Sequence, residues 1–560
     1  REDWAIDGST GYEYANLSLG VLINPAAKES FSETYREFSG VDQSFEEIAR
    51  ACKLRIMDNE MTSELNALGR AAARLARQNL ITADFTRQIL QRAIRQFIAS
   101  LPVYRTYVDM TGALTEADRR DLDWAIAQAR RRDLDVHESV FDFLRGVLSG
   151  AIVTAPNSGF SRAAVLRFAM KLQQYSGPVM AKGLEDTAFY RYNRHIALNE
   201  VGGAPDRFGV SVNAFHKANA FRANHWPRAM LATSTHDTKR GEDARARLAV
   251  LSDLPSEWRR EVNGWSRLIR ARRGDIELKA PPDRNDEYMF YQLIIGSWPA
   301  ELLGGLDETT LEDYRRRVIG ALRKSLREAK VNTSWTAPNA AYEEAMQAFA
   351  LDALDPSSSA FLPNFLPFVR RVARLGVENS LAQTVMKLTL PGVPDIYQGS
   401  EVWNLSLVDP DNRRPVDYQM RDKALAALLP RLAPIASRAA ALGDLLEHWR
   451  DGRIKLAVTA LVLQMRRKRC SLFAKGGYEP LAVASERAFG YMRFDRNDRI
   501  AALIARFPGL RQAEPDWGDA VAELPEGIWI DELSGRKEQG GEISLARVFS
   551  LLPVAVLRRE

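Results

Sequence analysis

Leu388-Thr389-Leu390-Pro391-Gly392-Val393-Pro394-Asp395-Ile396-Tyr397 is an apolar run, broken by glycine and proline, that opens into the polar loop Gln398-Gly399-Ser400-Glu401. Such a run reads as a short buried strand that delivers a polar loop to its end, where chemistry often sits. Upstream, Ala229-Met230-Leu231-Ala232-Thr233-Ser234-Thr235, Gly177-Pro178-Val179-Met180-Ala181-Lys182 and Leu101-Pro102-Val103-Tyr104-Arg105-Thr106-Tyr107-Val108 read as further strands, the first two running into dense polar clusters. Helix is expected between them. Ser44-Phe45-Glu46-Glu47 has the spacing of a capping box and opens an Ala/Leu/Arg/Glu-rich stretch to Ser100. Thr115 to Asp118 repeats that spacing ahead of Leu122, Ile126 and Ala129, which recur at helical steps, and residues 245 to 380 are mostly amphipathic helix carrying Trp258, Trp265, Tyr291 and Trp335. Strands separated by long helical excursions make this an α/β chain. After about residue 470 the texture changes: Phe489 to Phe494 and Ile500 to Ala505 flank a turn, and Gly527 to Asp531 and Val554 to Leu557 add short strands, so a separate all-β domain is expected over 470–560, joined by a helical connection at 431–469.

The composition bounds what such a chain does. Its 560 residues are 46% hydrophobic, 9% aromatic and 27% charged, the balance of a globular protein able to bury a large core. Lys and Arg number 77 against 72 Asp and Glu, and a net charge of +5 spread over this length is too thin for a nucleic-acid footprint. Two cysteines, Cys52 and Cys470, build no disulfide framework or zinc ribbon, so a reducing, cytoplasmic setting is expected. The longest apolar candidate, Leu456 to Met465, is interrupted by Thr459 and Gln464 and falls short of a membrane span. The opening Arg1-Glu2-Asp3-Trp4-Ala5-Ile6-Asp7 has neither the basic start nor the apolar core of a signal peptide. No nucleotide-phosphate loop or metal-ligand cluster is evident, and no cofactor is expected.

Three clusters carry candidate chemistry. Thr233-Ser234-Thr235-His236-Asp237-Thr238-Lys239-Arg240-Gly241-Glu242-Asp243 places an imidazole and a carboxylate at the end of an apolar strand, where both can bind vicinal sugar hydroxyls and Asp237 can stabilise an oxocarbenium-like transition state. Lys239 and Arg240 add donors. The bland alternative is a capped helix N-terminus followed by a solvated charge run. Lys182-Gly183-Leu184-Glu185-Asp186-Thr187-Ala188-Phe189-Tyr190 combines charges with aromatic faces, as sugar sites do, or is a charged turn before a helix. In the third, Glu401 stands with Asp409-Pro410-Asp411-Asn412-Arg413-Arg414-Pro415-Val416-Asp417, of which some members are expected to brace the loop as Asp/Arg pairs.

Pro391 to Glu401, followed by Asp409 to Pro415, resembles the last barrel strand of the α-amylase superfamily of glycoside hydrolases and transferases, and Thr235-His236-Asp237 resembles its seventh-strand motif, whose Asp is the third catalytic carboxylate. Asp7-Gly8-Ser9-Thr10-Gly11-Tyr12-Glu13-Tyr14, Met180 to Tyr190, His236-Asp237-Thr238-Lys239-Arg240 and Asn332-Thr333-Ser334-Trp335 together resemble the maltooligosyl trehalose synthase family within it. The resemblance implies a (β/α)8 TIM barrel with large helical insertions, at about 15–100, 114–172 and 245–380 of a catalytic part spanning 1–430, and a C-terminal β-domain. It implies conversion of the reducing-end α-1,4 bond of a maltooligosaccharide into an α,α-1,1 bond by a retaining mechanism that excludes water. Asp237 is then the catalytic carboxylate of this sequence. His236, Lys239, Arg240, Lys182, Glu185, Asp186, Tyr190, Glu401, Asp409 and Arg413 are the implied substrate contacts. In the superfamily the nucleophile and the acid/base precede the segment that here begins at Trp4, so the chain is expected to be the part of a longer enzyme that follows the fifth barrel strand, inactive alone and partnered by the missing half. The competing expectations are a hydrolase or glucanotransferase of the same superfamily and a non-catalytic glucan-binding fragment.

Overall fold

A computed structural model describes residues 5–154, 158–273, 281–357, 360–514 and 517–560, which form two units: Arg1–Val41, Asn193–Arg327 and Trp335–Glu560 in the first, Asp42–Tyr192 and Glu328–Ser334 in the second. Trp4 lies outside the described residues. The first unit includes α1 (Tyr12–Gly20) and α2 (Lys28–Ser39), and residues 42–100 fall in the second.

The second unit is helical: α3 (Phe45–Asp58), α4 (Thr62–Ala76), α5 (Arg87–Ser100), α6 (Glu116–Arg132), α7 (Glu138–Leu148) and α8 (Arg162–Met180), the last continuing as π-helical turns over Ala181–Ala188. The capping box forms, Ser44 Oγ accepting from the Glu47 amide at 3.3 Å and Glu47 Oε2 from the Ser44 amide at 2.8 Å. Thr115 caps α6, whose first turn carries Glu116 and Asp118 and whose last carries Arg130, Arg131 and Arg132, matching the helix dipole at both ends. One core joins the helices, with Leu68, Ile94, Phe141, Leu144 and Val165 buried in it.

Two expected strands of this unit are absent. Gly177 to Lys182 is helical because Val165, Ala169, Leu172, Ser176 and Val179 continue one buried stripe at three-to-four-residue steps, and Pro178 leaves the turn intact. Leu101 to Val108 runs as loop because side chains of α8 satisfy its backbone: Gln173 Oε1 accepts from the Val108 amide at 3.1 Å, Gln173 Nε2 donates to the Val108 carbonyl at 2.5 Å, and Ser176 Oγ donates to the Tyr104 carbonyl at 2.8 Å.

In the first unit two short strands pair in parallel, β1 (Met230–Leu231) and β2 (Val393–Pro394), with Met230 opposite Val393. Leu388 and Thr389 instead complete the long helix Phe361–Thr389; the Leu390 amide still bonds the Met386 carbonyl, and Pro391, which has no N–H to offer, ends the helix there. Among the described residues the parallel strands are this pair, not a closed barrel. The C-terminal sheet comprises β3 (Gly477–Leu481), β4 (Ala488–Phe494), β5 (Arg499–Ala505), β6 (Val521–Asp531), β7 (Lys537–Ser544) and β8 (Val554–Arg559), antiparallel in the order β3-β4-β5-β8-β6-β7. Within the first unit, one face of β4 buries Ala488 and Met492 with Trp529 and Ile543, while Tyr491 and Arg493 on the other reach the helix Phe361–Thr389, the Tyr491 hydroxyl meeting Thr389 Oγ1 at 2.6 Å. Residues 431–469 are mostly helix, and Cys470–Lys475 adds a further short one before β3. No single helix among the described residues is long and apolar enough to cross a membrane.

Candidate active site

The end of β1 is built against α1. Gly11 precedes α1 with φ +92° and lies so close to β1 that a Cβ there would stand 2.6 Å from the Met230 carbonyl oxygen, a conformation and an approach that only glycine accepts. Tyr12 then reaches the turn after the strand, its hydroxyl 3.2 Å from Thr235 Oγ1, which in turn accepts the Asp237 amide at 3.1 Å. The turn presents His236 and Asp237 outward, their side chains 60% and 54% exposed and paired Nε2 to Oδ2 at 3.0 Å. From the loop after β2, Arg413 Nη2 approaches Asp237 Oδ1 at 3.7 Å and donates to the His236 carbonyl at 3.4 Å. Asp237, His236 and Arg413 therefore stand together as a half-exposed carboxylate with an imidazole and a guanidinium beside it, a set able to bind sugar hydroxyls and stabilise positive charge.

Lys239 and Arg240 point inward and are buried, Arg240 donating to the Ile196 carbonyl at 3.1 Å while the Lys239 amide is taken by Glu200. Beneath them lies a buried charge network not foreseen from the sequence. Lys455 Nζ contacts Glu242 Oε1 at 2.8 Å and Asp243 Oδ2 at 2.7 Å, and Lys387 Nζ contacts Glu242 Oε2 at 3.1 Å and Thr233 Oγ1 at 2.7 Å. Thr233 also donates to Glu242, and the Asn404 amide donates to Asp243 at 2.6 Å. Burial pushes the Glu242 carboxyl up, but the two ammonium charges and their hydrogen bonds outweigh it and hold the pKa well below the carboxylate range. Asp243 is raised, by burial first and by the Glu242 charge. A lysine inside Met386-Lys387-Leu388 and another inside Ile454-Lys455-Leu456-Ala457 were the available signal, since a cation in a buried apolar stretch needs a partner.

The third cluster divides. Glu401 pairs with Arg421 Nε at 3.0 Å, Asp409 with Lys324, and Asp411 with Arg317 at 2.8 Å, all three bracing the loop after β2. The Arg317 guanidinium overcomes the burial of Asp411 and lowers its pKa. Asn404, Asp411, Asn412, Arg414 and Trp403 line a cleft of about 200 Å³ in this loop. Lys182, Glu185, Asp186 and Tyr190 belong to the second unit: Lys182 and Asp186 pair one turn apart at 2.7 Å, Tyr104 donates its hydroxyl to Glu185, and Tyr190 is buried. Among the described residues no group of three or more His, Cys, Asp or Glu side chains could hold a metal ion.

No family model matches the chain. Two curated relatives, each described as "Putative maltooligosyl trehalose synthase", come from the CDC 1551 and H37Rv strains of Mycobacterium tuberculosis; both are 33% identical over 560 residues, covering 99% of this chain and 63% of theirs. The solved structure of maltooligosyltrehalose synthase from Arthrobacter ramosus superposes with a TM-score of 0.80 at 30% identity, over 100% of this chain and 64% of that one. A second, the crystal structure of a maltooligosyl trehalose synthase, gives 0.73 at 28% identity, over 100% of this chain and 63% of the other. The chain thus spans 63% of the length of the curated relatives it matches. From its first motif to its last strand, this chain is a homologue of the maltooligosyl trehalose synthases.

Proposed function

We propose that the chain serves the isomerisation of a maltooligosaccharide's reducing-end α-1,4 bond into an α,α-1,1 bond, with Asp237 as the carboxylate that stabilises the oxocarbenium-like transition state. The observation that carries the reading is the His236–Asp237 pair held half-exposed at the end of β1, between α1 on one side and the loop after β2 on the other. The parallel pairing of β1 with β2 supports reading them as neighbouring strands, the seventh and the last, of a (β/α)8 barrel. His236 and Arg413 then hold hydroxyls of the sugar whose anomeric carbon reacts. In a retaining reaction a nucleophile and a proton donor act on that carbon and its leaving oxygen; neither role is given to a residue of this chain. The released glucose turns before its anomeric hydroxyl attacks the glycosyl intermediate, and water has to be kept out meanwhile.

Incubating the natural protein with maltopentaose tests the reading. Loss of reducing ends without release of glucose is expected, and its abolition in Asp237→Asn. Glucose or shortened glucans as the main products would instead identify a hydrolase or glucanotransferase, and binding of maltopentaose with no conversion a glucan-binding protein.

A further inference from the structure

Asp237 is more than half exposed, so little packing sets the direction of its carboxylate; beside the similarly exposed His236 and Arg413, what places it is the backbone of the turn that carries it. The turn, residues 235–238, is neither helix nor strand. Within it the Thr238 hydroxyl bonds the Thr235 backbone; Thr235 and Tyr12 hold it on one side, and on the other Arg413 reaches the His236 carbonyl beside the buried side chain of Asn412. We propose that Asn412 is a positioning residue of the Asp237 site, its side-chain amide clamping the turn from the loop after β2. The proposal rests on the role given to Asp237 above.

Asn412 Nδ2 donates to the His236 carbonyl at 3.0 Å and to the Thr238 carbonyl at 3.1 Å, with the Thr235 carbonyl at 3.5 Å. The carbonyls flanking Asp237 on both sides are thus tied to one planar amide. Its orientation follows from chemistry, because a flipped amide would set Oδ1 against three carbonyl oxygens. Asn412 is 7% exposed, and its Oδ1 meets no donor among the described residues. Burying an acceptor without a partner is costly, so an apolar residue of similar size would serve packing better. What asparagine adds is the pair of donors on the turn. Its own backbone is held as well, the Tyr397 hydroxyl donating to the Asn412 carbonyl at 3.2 Å. Tyr397 follows β2, so the clamp refers the turn after one strand to the end of the other.

The test is made in the natural protein with Asn412→Asp, which keeps the shape but turns a carboxylate toward the three carbonyls, and with Asn412→Ala, which removes the amide without adding charge and carries both readouts should the first variant not fold. Amide hydrogen exchange at His236, Asp237 and Thr238 is expected to accelerate at least about tenfold while the helix Phe361–Thr389 is unchanged. Turnover of maltopentaose should fall by about ten- to a hundredfold with KM within about twofold, as when a reacting group is displaced rather than removed. Unchanged exchange overturns the clamp. Faster exchange with normal turnover, in a protein that Asp237→Asn inactivates, overturns the positioning role. So does a loss of turnover that comes with general acceleration of exchange, which marks a structural residue. If Asp237→Asn itself retains normal turnover, the functional reading fails, and the exchange data still decide whether Asn412 holds the turn.

Discussion

Asp237 and His216 show how differently the same kinds of side chain are used. Asp237 is more than half exposed, its carboxylate beside the similarly exposed His236 and Arg413, so Asp237→Asn should lower turnover by roughly a thousandfold or more, a group acting on the transition state being lost, while thermal unfolding shifts by no more than a few degrees. His216 is buried with Nδ1 2.7 Å from the Tyr478 hydroxyl and the Phe215 and Phe489 rings beside it, and burial pulls its pKa down to about 4. The native state therefore binds fewer protons than the unfolded chain, and the contribution is complete above pH 6.5 and lost as the pH falls toward 4. Urea unfolding at pH 7 and pH 5 should show His216→Gln losing less stability over that interval than the natural protein, by on the order of 1 kcal/mol. The His236–Asp237 pair was legible as a pair because the two are adjacent in the chain, whereas Tyr12 and Arg413 come to it from distant segments. Asn412 was quoted within a motif but not singled out: its value lies in carbonyls more than 170 residues away, and backbone acceptors leave no mark on a sequence.

At the scale of the element, caps were read correctly, while of the short apolar runs those at β1, β2 and in the C-terminal sheet form strands and two others do not. Ser44 with Glu47 and Thr115 with Asp118 act through three residues of contiguous chain, and both form as their spacing implies. Ser44→Ala should cost about 1 kcal/mol, measured by urea unfolding. Gly177 to Lys182 and Leu101 to Val108 were ambiguous because a run of that length fits a strand or a buried helix turn equally, and the choice was made by Gln173 and by the core under α8. The π-helical turns after α8 depend on a close approach: a Cβ on Gly183 would lie 2.8 Å from Lys53 Cα in α3. Lys53, buried there with its Nζ 2.9 Å from the Leu101 carbonyl and its pKa pulled down to about 8, leaves no room to give way. Gly183→Ala should destabilise by about 1–3 kcal/mol, with the loss appearing as faster hydrogen exchange in α3 and residues 181–188.

At the scale of the whole molecule, the ion network ties together segments that the sequence keeps far apart: Glu242 and Asp243 after β1, Lys387 in the long helix and Lys455 in the helix Arg453–Lys468. Lys455→Met should cost roughly 3–5 kcal/mol by stranding buried carboxylate charge, and adding Asp243→Leu should return part of it, both read from thermal and urea unfolding. Lys182 is among the substrate contacts that the resemblance implies, and products test it: Lys182→Ala should raise the ratio of glucose release to isomerisation, measured by sugar chromatography. An unchanged ratio would remove Lys182 from the binding residues.

What the sequence determined by itself was whatever is encoded locally: the capping of α3 and α6, the β4–β5 hairpin, the helical character of 245–380 and the motif that carries His236 and Asp237. Likeness to the maltooligosyl trehalose synthases belongs with these, because it was read from contiguous motifs and extends over the whole chain. Tertiary structure alone decided which apolar runs became strands, how the chain divides into units, and which charges are buried or paired and which stay exposed. Lys239 and Lys182 look alike in the sequence, yet one is buried and the other exposed, and Asp409 and Asp237 differ because Lys324 meets the first. The physical reason is that burial and long-range pairing are set by residues hundreds of positions away, and a side chain's chemistry follows from what remains after those partners have taken their share.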